Sequence, residues 1–470
     1  MAFLEQDHTT GTGDILHIQN DGSGRSIYVE GGGIVEEGGV LKSNLLTNSG
    51  FGVWSNSTLE DVGSDLAVNG DFSSATGWTA QTGWAIDTSA GNAVATGAAD
   101  GQQLFRTFSS FVVGKLYKMS ITCTAFTGGT AQLYSSLPAV NSSEVITGAS
   151  QTITQVFEAT ATSGTISIQI TTAGSGLTVD NFTLYEVTPA CVDGTNKAFD
   201  GWTKRDNVSH KIYRQHSDGG TLTQDGSFYS CKVVTTTETA SQVLTFPGAY
   251  GSNAEWYERF AGRTVTLGCW VKAGVASSAK LVISDGVTTY SASDWYDTGG
   301  ADWQWLEVTK SDTSASPTKF TVGLATVKAD TTYFSQPMVC LGSAIGSGNY
   351  SAPSGEIVWL ELMKSSDNYD DFDGISSSTA INTEADTGGK IPKGAKAVYV
   401  TMAGSCASTE KYLALANEAG KNRGIWAYSQ VANGRVANSG WVPCDGNGDI
   451  LWERNDTFNE VYLWYSGVQL

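Results

Sequence analysis

The sequence predicts an all-β chain built from tandem and nested β-sandwich modules of jelly-roll type, preceded by a short N-terminal β-hairpin region. Three observations predict it. Period-two runs of apolar and polar residues recur about every 8–12 residues with Gly, Asn, Asp and Ser between them. No run shows the 3.6-residue periodicity of a long amphipathic helix. An opening motif is repeated inside the chain, the mark of modules that share one architecture.

With 470 residues the chain exceeds what one hydrophobic core organises, and about two to four domains are expected. The apolar fraction of 40% is ample for packed cores; only 16% of residues are charged and 55 are glycine, the composition of an extracellular-type β protein. A net charge of -20 repels polyphosphates and anionic membrane surfaces, which argues against nucleic-acid binding. The opening Met1-Ala-Phe-Leu-Glu-Gln-Asp-His8 has no basic region followed by an apolar run, and no later stretch has the length of a membrane span. Synthesis in the cytoplasm without a signal peptide, and no membrane insertion, are the expectations. The seven cysteines (Cys123, Cys191, Cys231, Cys269, Cys340, Cys406 and Cys444) form no C-x-x-C pair, and most sit in apolar alternating stretches, as small buried hydrophobes would.

Along the chain, Asp14-Ile-Leu-His-Ile-Gln-Asn20-Asp-Gly-Ser-Gly24-Arg-Ser-Ile-Tyr-Val-Glu30 reads as one hairpin around a turn rich in positive-φ residue types. One hairpin buries too little by itself, so residues 1–43 are assigned to attachment and oligomerisation. Next, Asn44-Leu-Leu-Thr-Asn48-Ser-Gly50-Phe51 recurs as Asp65-Leu-Ala-Val-Asn69-Gly-Asp71-Phe72. The second copy runs on to Gly77-Trp78, whereas the Gly-Trp that suits the first stands far away at Gly201-Trp202, as if one module were inserted into another. Gly114-Lys-Leu-Tyr and Gly262-Arg-Thr-Val each open a period-two strand in the same way. The expected division is therefore a discontinuous sandwich of residues 44–61 plus 190–352, an inserted jelly roll at 62–189, and a C-terminal sandwich at 353–470.

The Asp65-to-Phe72 opening, Gly77-Trp78 and the closing Val179-Asp-Asn-Phe-Thr-Leu-Tyr185 resemble the carbohydrate-binding jelly-roll superfamily found as accessory modules of glycan-degrading enzymes. Asn44 to Trp54, Gln336-Pro-Met-Val-Cys-Leu-Gly342, Asn349 to Glu356 and Ile391-Pro-Lys-Gly-Ala-Lys-Ala-Val-Tyr-Val400 resemble segments of phage tail-fibre and other virion structural proteins, and the N-terminal hairpin is similar to repeat units of trimeric phage fibres. The resemblance implies a virion-surface subunit made in the host cytoplasm, a homotrimer held to other virion proteins through its N-terminal region, with sandwiches facing outward. A single hairpin unit implies a short fibre or a surface decoration.

No Gly-x-Ser-x-Gly or His-Glu-x-x-His is present, and no catalytic residues are assigned. His210 and His216 share one face of a strand, where two polar-face histidines are the plain reading and a metal or acid–base pair the sharper one. The acidic run Asp367 to Asp373 reads as a solvated loop. Asp445-Gly-Asn447-Gly-Asp449 has calcium-loop spacing but ends in Ile450 where such a loop needs Gly, so a hairpin turn is expected. No cofactor is required; the resemblance implies a structural Ca²⁺ tying opening segment to closing strand, at Asp71 and Asp180. Sugars stack on exposed rings, and Trp84, Trp295, Trp303 and Trp305, in polar Gly-rich surroundings, are the candidate carbohydrate-binding residues. Core positions remain the alternative for each. Trp270, Trp359 and Trp464 alternate with apolar residues and are read as core.

The leading expectation is a non-enzymatic virion structural protein, fibre-like, touching host-surface glycans through its sandwiches. The alternatives are a capsid cement or head-decoration protein without a receptor role, and an accessory glycan-binding module of a degradative system.

Overall fold

The computed structural model describes residues 43–470 except 138, 195–196, 205–209, 218–220, 238–240, 301, 354, 366–378, 419–420 and 457. The N-terminal hairpin, His8, His17 and the acidic run from Asp367 lie outside the described residues. The regular secondary structure of the described residues is nearly all strand, arranged in antiparallel sheets around three large apolar cores.

The inserted sandwich is built on two long strands, Leu116–Ser136 and Gly164–Cys191, which pair with each other along most of their length. Each crosses from one layer to the other. The ladder slips repeatedly between Ser120 and Ala131, and Gly129 and Gly174 take positive φ there, so the strands turn a corner instead of stiffening into one flat ribbon. Trp84–Asp87, Asn92–Ala98 and Gln151–Glu158 complete one layer, and Gln103–Phe108 and Ala139–Ile146 the other. Phe72, Trp78, Tyr117, Phe157 and Phe182 fill the space between.

Strand Thr58–Val62 leads into this module and runs antiparallel to the end of Gly164–Cys191, from Thr58 opposite Ala190 to Val62 opposite Glu186. Beyond it, Ala190 and Cys191 pair with Tyr213 and Ile212 of strand His210–His216. The sheet of the inserted module is thus continuous with that of the surrounding one. In the latter, His210–His216, Tyr229–Thr235, Asp330–Leu341, Val265–Ala273 and Gln304–Lys310 form the first layer, in that order. Thr203–Lys204, Ser241–Phe246, Thr321–Thr326, Ala279–Ser284 and Ser291–Ala292 form the second. Leu46, Phe51 and Trp54 share the core of this sandwich with Phe199, Trp202, Cys269 and Val271.

The C-terminal sandwich has two four-stranded sheets. One orders Ile357–Ser365, Phe458–Gln469, Ala397–Cys406 and Arg435–Pro443; the other orders Thr379–Ile381, Ile450–Arg454, Lys411–Glu418 and Lys421–Ser429. Val53 enters its core, one residue before Trp54 enters that of the surrounding module. From residue 42 onward the three sandwiches form a single compact unit.

Buried polar contacts fasten them. Arg214 pairs with Glu384 of the short helix Thr383–Asp386, donates from Nη1 to the Gly389 carbonyl at 2.7 Å, and lies 4.3 Å from the centre of the Tyr229 ring. Tyr229 donates its hydroxyl to Glu384 Oε1 at 3.0 Å, while Lys393 pairs with Glu158 of the inserted module. A second lock holds Asp200, whose carboxylate accepts the Ser55 amide at 2.6 Å and the Glu361 amide at 2.8 Å. All seven cysteines are free thiols, and six are buried.

Candidate functional site

Solvent-facing aromatic rings gather on the outer face of the first C-terminal sheet. Strand alternation places them there. Along Ala397–Cys406, Val398, Val400 and Met402 point into the core, so Tyr399, Thr401 and Ala403 point out. Gly467 lies opposite both Trp359 and Tyr399, and Tyr399 lies opposite Trp441. A Cβ on Gly467 would stand 3.0 Å from the Trp359 ring, so glycine lets that indole lie against the backbone. Trp359, Tyr399 and Trp441 touch one another with ring centres 5.4–5.8 Å apart. Trp359 remains 57% exposed.

The next rows continue the face. Trp464 and Ser439 flank Thr401, whose hydroxyl is 2.8 Å from that of Ser439; Tyr462 and Ala437 flank Ala403. Tyr462 and Trp464 stack with centres 5.6 Å apart and planes inclined by 14°. A trough of about 270 Å³ runs beside them, lined by Ala403, Gly404, Arg435, Tyr462 and Trp464. Flat rings at two ends, a floor of small and hydroxylated side chains, and a guanidinium at the rim form a surface suited to the apolar faces and hydroxyls of a sugar chain.

Alternation with apolar residues predicts core positions for Trp359 and Trp464, whereas the structure places both on this outer face. In a period-two strand, alternation with buried residues sends a side chain to the opposite face: Val358 and Leu360 are buried, and Trp359 between them is not. Trp270 likewise lies half-buried on the outer side of its sheet, in edge contact with Trp305 at 5.6 Å.

The tryptophans expected to bind sugar do not converge. Trp84, 6% exposed, belongs to the core of the inserted module, because its strand turns Trp84 and Ile86 inward. Trp295 is 38% exposed, but the Lys280 ammonium sits 4.3 Å from its ring centre. Trp303 is half-buried. Trp305 lies over Gly268 and donates its indole N–H to Glu307 Oε2 at 3.0 Å; Glu307 also accepts the Ile345 and Gly346 amides, which fastens this ring beneath a loop.

Asp71 and Asp180 each accept hydrogen bonds within their own turns. Asp71 Oδ1 accepts from the Ser73 hydroxyl at 2.9 Å, and Asp180 accepts the Asn181 amide at 2.6 Å. Among the described residues no group of three or more His, Cys, Asp and Glu side chains converges as a metal site. Asp65 ties the opening segment to the closing strand, its Oδ1 accepting the amides of Ala67 and Leu184 at 2.8 and 2.9 Å. In the Asp445 turn the carboxylate accepts the Asn447 and Asp449 amides, an Asx-type closure of the hairpin. His210 and His216 do share a strand face, but it is the inner one, and His210 is fully buried, contrary to the polar-face reading.

Carboxyl groups in the module contacts are displaced upward by burial. Glu356, which accepts the Asn48 amide, is raised to about 7, and Asp449 to about 6, with desolvation as the leading cause in both. Glu384 moves the same way, since loss of water outweighs the Arg214 guanidinium beside it.

No protein-family model matches the chain. No curated protein matches it either. Among solved structures, the N-terminal CBM22-1–CBM22-2 tandem domain of Paenibacillus barcinonensis Xyn10C is 12% identical, with 60% of this chain and 99% of that one covered at a TM-score of 0.25. The CBM22-1 xylan-binding domain of the same protein is 15% identical over 33% of this chain and 91% of its own, at a TM-score of 0.23. A chain from the atomic structure of Sulfolobus Turreted Icosahedral Virus is 10% identical, covering 83% of this chain and 90% of that one at a TM-score of 0.14.

Proposed function

We propose that this protein is a non-enzymatic structural subunit of a bacteriophage virion, fibre-like, which binds host-surface glycans through the outer face of its C-terminal sandwich. The observation that carries the glycan reading is the set of rings at Trp359, Tyr399, Trp441, Tyr462 and Trp464, arranged by strand register on one solvent-facing sheet. Rings held on a rigid sheet lose little freedom when a sugar stacks on them.

Three sandwiches joined by the buried Arg214–Glu384 pair, the partly exposed Lys393–Glu158 pair and a continuous ladder make a stiff unit, which suits display. Asp200 is occupied in holding segments together, and Glu158 in joining modules. In this reading residues 1–43 anchor the chain to other virion proteins as a homotrimer, no cofactor takes part, and the surface of the particle is where the protein works. Immunogold labelling of purified particles with an antibody to residues 379–470 tests the placement: label on the exterior of tail or head is expected, and particles without the protein contradict it.

A further inference from the structure

A cleft of about 420 Å³ opens between the inserted sandwich and the module that surrounds it. The ribbon joining the two modules contributes Asp61 and Glu186, the outer face of the neighbouring sheet contributes Tyr213, Lys232 and Tyr333, and the buried junction contributes His216 and Glu384. The volume lies in the range of small-molecule sites.

Two acceptors in this lining lack partners. Glu384 is 1% exposed, and although its Oε1 is held by Arg214 and Tyr229, its Oε2 has no hydrogen-bond donor. His216 Nδ1 lies 2.9 Å from the Ser217 carbonyl, which can only accept, so Nδ1 carries the proton. His216 Nε2 is then a bare lone pair, and it too is buried without a partner. Buried acceptors left in this state weigh against the folded chain unless something in the cleft donates to them.

The charges around the cleft decide what that is. Asp61, Glu186 and Glu384 stand against Lys115, Lys232 and Arg214, three of each sign. A polyamine would meet the three cations, and an anion would meet the carboxylates and both unfilled acceptors. A neutral molecule rich in hydroxyl groups meets neither penalty, and the Tyr213 ring, with Lys232 Nζ 5.5 Å from its centre, and the Tyr333 ring line the same wall. We propose that the cleft is a binding site for a neutral saccharide of one or two rings, whose hydroxyls donate to Glu384 Oε2 and His216 Nε2 while a ring face rests against the wall that Tyr213 and Tyr333 form together. The site stands on its own unfilled acceptors and is independent of the C-terminal aromatic face.

Saturation-transfer difference NMR on the full-length chain tests it, with D-glucose, D-galactose and lactose as probes and spermidine as the cationic comparison. In the full-length chain carrying Trp359→Ala and Trp441→Ala, which removes the C-terminal aromatic face, transfer to at least one sugar is expected, and it is expected to weaken at least tenfold when Tyr213→Ala is added. Gln215→Ala, at another lining residue, serves as a second cleft variant should Tyr213→Ala fail to fold. Absence of transfer with all three sugars overturns the proposal, as does transfer that survives the folded cleft variants or tighter binding of spermidine. Transfer seen with the parent chain but absent from the aromatic-face variant also overturns it, while leaving the C-terminal site intact.

Discussion

Asn44 and Asp65 occupy the same place in two different sandwiches and accept the same pair of amides. Asn44 Oδ1 takes the N–H of Leu46 and of Val339, both at 3.1 Å; Asp65 Oδ1 takes those of Ala67 and Leu184, at 2.8 and 2.9 Å. In each case one amide lies two residues ahead and the other in the closing strand of the module. The equivalence continues through Asn48 and Asn69, both at positive φ, then Phe51 and Phe72, and finally Gln336 and Asn181. Removing either acceptor by Asn44→Ala or Asp65→Ala strands two amides, and a loss of about 1–3 kcal/mol is expected in urea unfolding. Asp65→Asn keeps the oxygen and is expected to be milder.

The two kinds of tryptophan separate by experiment. Trp84→Ala empties a core position and is expected to cost about 3–5 kcal/mol. Trp359→Ala, at a solvent-facing ring, is expected to shift the melting temperature little. Thermal unfolding of the two variants side by side checks this.

Stability should fall as pH rises through neutrality. The Glu356 carboxyl is raised from the usual carboxylate range to about 7, so the folded chain holds a proton there that the unfolded chain has released. Its contribution is complete below about pH 4.5, the value of an unperturbed carboxyl, and is lost as pH climbs through about 7. Asp449, raised to about 6, acts in the same direction. Glu356→Gln retains an oxygen for the Asn48 amide and carries no charge. It is expected to melt higher than the parent at pH 8 and close to it at pH 5.

Arg214→Met leaves Glu384 buried without its cation, which is expected to cost about 3–5 kcal/mol. Adding Glu384→Gln should restore part of that loss, because the stranded charge goes with it. A double-mutant cycle in denaturant measures the coupling.

Light scattering bears on assembly. The full-length chain is expected to run as a trimer and a chain lacking residues 1–43 as monomers; the same oligomeric state for both contradicts a role for the N-terminal region.

Much of the fold could be read from residue patterns, because turn chemistry and period two are local. Asn44 and Asp65 betrayed their equivalence through spacing alone. The aromatic face escaped, and the reason is parity. Trp359 between Val358 and Leu360 looks apolar by company, yet the pleat that buries its neighbours exposes it. Trp84 erred the other way: polar flanks suggested a surface, but Trp84 and Ile86 share the inward face. Contacts such as Arg214 with Glu384 join residues 170 positions apart and carry no local signal.

Binding of the full-length chain to an array of bacterial surface polysaccharides, beside the variant carrying Trp359→Ala and Trp441→Ala, tests the glycan-binding face most directly. Binding to at least one polysaccharide that weakens tenfold or more in the folded variant is the predicted result. An array without binding, or a variant that binds as the parent does, contradicts it.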